Sequence, residues 1–149
     1  MARPKSYRDL IVWQKAMAVA RRAYSITETL PKRETFGLGD QIRRAAVSIA
    51  SNVAEGHGRL SDLQFRHFLG QARGSLFEMQ TPLELAIDLG YLEKEHGSEL
   101  MEDASEVGRI LNGLLRSLRT RAVSGDASPN TANSANTANS ASSADPYVS

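Results

Sequence analysis

Residues 61–88 read SDLQFRHFLGQARGSLFEMQTPLELAID, and in this run Phe65, Leu69, Ala72, Leu76, Met79, Leu83 and Ala86 recur at alternating steps of four and three. That spacing lines up one face of a helix with 3.6 residues per turn and matches neither face of a strand. Ser61 followed by Gln64 has the form of a capping box, in which the serine oxygen accepts from a first-turn amide. Pro82 falls inside the period. It removes a backbone donor and crowds the carbonyl four residues earlier, but the apolar phase continues on both sides, so the expectation is a kink near Glu78 to Pro82 and not a break.

The same period extends in both directions. Downstream, Leu100, Ala104, Val107, Leu111, Leu114 and Leu118 predict a helix over about 98–121; upstream, Ile42, Ala46, Ile49 and Val53 predict one over about 37–56. A first helix, about 9–29, carries two apolar lines. Leu10, Trp13, Met17, Ala20 and Tyr24 are expected to face the core, while Val12, Val19 and Ile26, repeating every seven residues on nearly the opposite side, are expected to contact another copy of the chain. Turn signals at 30–32, 55–58 and 90–97 leave short connections, which make consecutive helices antiparallel neighbours. The fold class is therefore all-α: an antiparallel, up-down-up-down four-helix bundle over residues 1–123. From Ser124 the composition collapses to Ala, Ser, Asn and Thr, with the hexapeptide at 130–135 repeated at 136–141. Such a segment has too little to bury, and residues 124–149 are expected to form a disordered tail.

Composition excludes several chemistries. With no cysteine there is no disulfide framework, thiolate metal site or thiol nucleophile. No apolar run reaches the twenty or so residues a membrane helix needs, so the expected setting is the cytoplasm. His57, His67 and His96 are scattered without a ligand partner three or four residues away, and no metal or other cofactor is expected. Gly37-Leu-Gly39 and Gly56-His-Gly58 are too short for phosphate loops, and no Gly-x-Ser-x-Gly elbow occurs. The sequence reads as a protein without enzymatic activity.

The net charge of +1 conceals a strong asymmetry. Residues 1–73 hold 13 Lys or Arg against 6 Asp or Glu, residues 74–108 hold one against nine, and residues 109–123 add four arginines and no acid. Arginine supplies 14 of the 18 basic residues, and its planar fork suits phosphate and carboxylate. One reading is a phosphate-binding surface made of Arg8, Lys15, Arg22, Arg43, Arg44, Arg59, Arg66 and Arg73, with RNA or DNA as partner. A second is docking between copies, the acidic third and fourth helices receiving arginines from a neighbour. A polar line on the second helix, Gln41, Ser48, Asn52 and Glu55, is matched by Ser75 and Glu78 on the third. It is either a hydrogen-bonded seam, with Glu55 pairing an arginine, or a pocket for a ligand.

Three ordered motifs carry a family resemblance: residues 7–16 (YRDLIVWQKA), 38–56 (LGDQIRRAAVSIASNVAEG) and 68–78 (FLGQARGSLFE). Over about residues 7–120 the chain resembles the bacterial four-helix-bundle proteins encoded in intervening sequences of large-subunit ribosomal RNA genes. The resemblance implies a left-handed antiparallel bundle that assembles as a homo-oligomeric ring, typically a pentamer. The family is also similar to the accessory variability determinant of diversity-generating retroelements, a basic pentameric barrel that binds a reverse transcriptase and nucleic acid. Arg43, Arg44, Ser48, Asn52, Glu55, Ser75 and Glu78 stand at the family's characteristic polar positions, and no catalytic role comes with them. Partners implied are the chain itself, RNA or DNA, and a partner protein, with no membrane.

Overall fold

The computed structural model describes residues 3–125, with side chains described to Arg119. A short 3-10 turn at Tyr7–Asp9 leads into α1 (Ile11–Thr27); a second at Lys32–Glu34 leads into α2 (Leu38–His57), followed by α3 (Asp62–Asp88) and α4 (Lys94–Gly125). Ser61 caps α3 as expected, its Oγ accepting from the Gln64 amide at 3.2 Å. The helix runs on through Pro82. The expected tail lies almost wholly outside the described residues.

Each helix packs on the next, and α1 closes the square against α4. Cross-links fix the antiparallel sense. Ser48 meets Ser75 between α2 and α3, and Arg73 meets Asn112 while Gln80 meets Ser105 between α3 and α4. Between α1 and α4, Lys15 pairs with Glu106 and Arg22 with Glu99 and Asp103. The seven-residue stripe on α3 is buried throughout, as are Ile42, Ala46, Ile49 and Val53 on α2. On α4, Leu100, Ala104, Val107, Leu111 and Leu118 enter the core and Leu114 is half-buried.

Helix α1 departs from expectation. Val12 and Val19 are each 1% exposed and belong to the core of their own bundle, with Ile26 packed against it, so this line is not a contact for another copy. Tyr24, expected inside, is 52% exposed. The buried face runs Val12, Ala16, Val19 and Ala23, again at steps of four, three and four, and is thus built on the second apolar line with alanines beside it. Its alanines carry little hydrophobic weight individually, yet their short side chains let neighbouring helices approach closely.

Helix α4 begins at Lys94, earlier than the turn signals implied, because Gly97 is helical and not part of the turn. A Cβ there would lie 2.6 Å from Cγ1 of Ile87, so the glycine lets the end of α3 lie against the α4 backbone. Among the described residues no helix is long and apolar enough to cross a membrane.

Candidate nucleic-acid interface

The up-down order brings the start of α1, the end of α2, the start of α3 and the end of α4 to one end of the bundle. The N-terminal segment is tied down there. Arg3 forms an ion pair with Asp62, donates to the Arg59 carbonyl at 3.1 Å and lies 4.7 Å above the Phe65 ring. His57 Nε2 is 2.6 Å from the Pro4 carbonyl. Residues 3–15, 50–73 and 109–119, which make up this half, carry ten Lys or Arg against three Asp or Glu. Residues 16–49 and 74–108, the other half, carry seven against twelve. Folding thus converts three sequence blocks of charge into one basic pole and one acidic half.

At the pole, guanidinium groups rest on rings. Arg59 lies 4.8 Å over Phe68 while donating to Glu55 Oε1 at 2.8 Å, and His67 meets the same ring edge-on at 5.5 Å. Arg8 lies 4.7 Å over Tyr7, whose ring sits 5.2 Å from Trp13. The rings hold these guanidinium groups in place, Arg8 without an ion pair among the described residues, while exposed Leu60 and Leu63 add apolar surface beside them. Positive charge interleaved with planar and apolar groups is what a nucleic-acid backbone and its bases require.

Of the eight basic residues singled out from sequence, Arg8, Lys15, Arg59, Arg66 and Arg73 fall in the basic half; Arg22, Arg43 and Arg44 do not. Several are engaged within the chain. Lys15 pairs with Glu106 at 2.9 Å, Arg22 with Glu99 at 2.9 Å and with Asp103, and Arg44 with Asp40 at 2.9 Å. Arg43 donates to the Thr35 carbonyl at 2.8 Å and Arg73 to Asn112 Oδ1 at 3.0 Å. Glu99, Asp103 and Glu106 of α4 thus receive Lys15 and Arg22 of α1 from their own chain. Sequence reasoning missed Arg3, Lys5, Arg116 and Arg119. The last two were within reach, since the up-down order alone puts the end of α4 beside the start of α3.

The hydrogen bond from Lys15 and its charge hold the Glu106 carboxyl below its ordinary value, against a smaller opposing effect of burial. A carboxyl with a lowered folded-state pKa adds stability above its unfolded value, and that stability is lost as pH falls through the folded one. The parent is therefore expected to lose melting temperature on acidification through the carboxylate range near about pH 4, and Lys15→Met to lose less over the same interval. Parallel melting curves for the two proteins would remove the α1–α4 ion pair from the account.

The polar line resolves into a seam between α2 and α3. Ser48 Oγ lies 2.8 Å from Ser75 Oγ, and Asn52 Nδ2 donates to Ser48 Oγ at 3.1 Å and to its carbonyl at 2.9 Å. Glu55 pairs with Arg59 outside this cluster, and Glu78 is exposed. Among the described residues no buried side-chain nitrogen or oxygen lacks a partner, so the seam is satisfied from within the chain. Nor do the described residues gather three or more His, Cys, Asp or Glu groups in a metal-holding arrangement.

Residues 8–113 match the family model described as 23S rRNA-intervening sequence protein. The crystal structure of a protein of unknown function from the S23 ribosomal protein family of Bacteroides thetaiotaomicron VPI-5482 is similar to this chain, with a TM-score of 0.66 and 25% identity. The similarity covers 70% of this chain and 98% of that one. No curated protein matches. The family match reaches from Arg8 at the basic pole through α1, α2 and α3 and well into α4, and on that extent the chain belongs to the 23S rRNA-intervening sequence protein family.

Proposed function

We propose that the protein is a non-enzymatic bundle that assembles as a homo-oligomeric ring and binds structured RNA or DNA through its basic pole, as an adaptor within a ribonucleoprotein. What supports this reading is the pole itself, where Arg3, Arg8 and Arg59 lie over aromatic rings and the same half of the bundle carries Lys5 and Arg66. Phosphates neutralised together release counterions, which supplies affinity without base specificity. The ring, pentameric as the resemblance implies, repeats the pole at symmetry-equivalent positions, so that one folded nucleic acid meets several poles at once. Contact between copies then falls to exposed apolar groups such as Tyr24 and Val47 in place of Val12 and Val19.

Fluorescence anisotropy of a labelled structured RNA across a salt series tests this. With four or five phosphates engaged per pole, the expected slope of log K against log salt is about −4. Absence of salt-sensitive binding at micromolar protein defeats the reading. It would favour the second one, a protein-interaction scaffold without nucleic acid, for which the acidic half speaks; light scattering counts the copies in either case.

A further inference from the structure

The nine carboxylates between residues 74 and 108 divide sharply. Glu99, Glu102, Asp103 and Glu106 pair with lysine or arginine of their own chain, and Glu93 lies 3.3 Å from the His96 ring. Glu78, Glu84, Asp88 and Glu95 form no ion pair among the described residues. Three of these four stand on the exposed side of α3. Glu84 and Asp88, one turn apart, border an open groove of about 570 Å3 between α3 and α4, whose apolar surface comes from Phe77, Leu85 and Met101. Leu85 is 46% exposed in it. From Phe77 to Asp88 the groove follows about 16 Å of helix, the length of three turns.

We propose that this groove docks a basic amphipathic helix of a partner protein, with aliphatic side chains seated on Phe77, Leu85 and Met101 and lysines or arginines facing Glu84 and Asp88. The apolar floor provides contact area, Met101 adapts its shape, and the unpaired carboxylates select the sign of the partner. Nucleic acid is repelled by the same carboxylates. The helix-borne cations Lys15, Arg22, Arg44 and Arg109 are committed to carboxylates of this chain, which removes these four as counter-charges from a second copy. The inference does not rest on the RNA reading: the two surfaces lie in different halves of the bundle and are tested by separate ligands.

The test uses the full chain and a fluorescein-labelled fourteen-residue helical peptide of leucine and lysine in amphipathic order, with glutamate replacing lysine in a control peptide. The lysine peptide is expected to bind with a Kd of about 10 μM, and the glutamate peptide not to bind. Glu84→Lys with Asp88→Lys, and separately Leu85→Asp, are each expected to weaken binding about tenfold or more. All three positions are exposed, so these variants keep the parent's helical circular dichroism and its RNA binding. Glu28→Lys, in the acidic half but at the C-terminal cap of α1, is expected to leave the affinity unchanged. Equal losses in Glu28→Lys, undiminished binding in both groove variants, or no binding of the lysine peptide overturns the proposal. A fall in copy number caused by Glu84→Lys with Asp88→Lys also overturns it, assigning the groove to a second copy.

Discussion

Gly56→Val is expected to melt about 10 °C or more below the parent, the largest loss of stability from any single small substitution on the surface between α2 and α3. A Cβ at Gly56 would lie 2.7 Å from Phe68 Cβ, 3.0 Å from Phe65 Cδ1 and 3.3 Å from the Phe65 carbonyl oxygen. Two of those atoms are close to or part of the α3 backbone and cannot swing aside, so the helices themselves must separate. Overpacking of this kind costs roughly 3 kcal/mol, and the helix propensity gained on losing a glycine offsets less than about 1 kcal/mol of it. Gly74→Ala is the control. Nothing lies within 4 Å of a Cβ at that position, so the substitution is expected to raise stability by up to about 1 kcal/mol. Thermal melts followed by circular dichroism compare the three proteins. If Gly56→Val melts with the parent, the close approach of α2 and α3 is not what Gly56 provides.

The second large effect concerns affinity. Substituting Lys5, Arg8 and Arg66, which form no ion pair among the described residues, together by alanine is expected to weaken binding of structured RNA by roughly a hundredfold near 0.15 M salt, and to flatten the salt slope by about three. Arg22→Ala with Arg44→Ala removes two arginines already spent on Asp103, Glu99 and Asp40, and is expected to change affinity by less than about twofold. Anisotropy titrations on both sets, with melts to verify folding, separate a localised pole from a diffuse positive field. Equal losses in the two sets would speak for the field and against the pole.

How much of this was legible in the sequence depends on what carried the signal. The α2, α3 and α4 stripes were readable because leucine, isoleucine, methionine and phenylalanine at steps of four and three admit one interpretation. On α1 the same rhythm is carried half by alanine, and the larger side chains on either side drew attention from it. The pairing of α1 with α4 was also present in outline: Lys15 and Arg22 stand seven apart, and Glu99, Asp103 and Glu106 are spaced four and three. Matching those periods across an up-down bundle predicts the ion pairs and rules out a neighbouring copy as their only source. The pole was harder, because its charges come from three separated stretches. Arg3 in particular reaches Asp62 and Phe65 from a segment with no periodicity at all, so only tertiary structure places it.

Arg3 and Gly125, the first and last described residues, both leave the bundle at the basic end, while the acidic groove lies toward the other end of an α3 about 40 Å long. Any chain joined at either point is tethered beside the pole, where a short flexible link gives it an effective concentration in roughly the millimolar range. If the pole binds RNA as proposed, an acidic appendage at this end would compete for the same arginines without needing appreciable affinity of its own. A cationic one extends the reach of the pole. On the proposed function, the charge of whatever is joined there bears on RNA affinity with no change to the bundle.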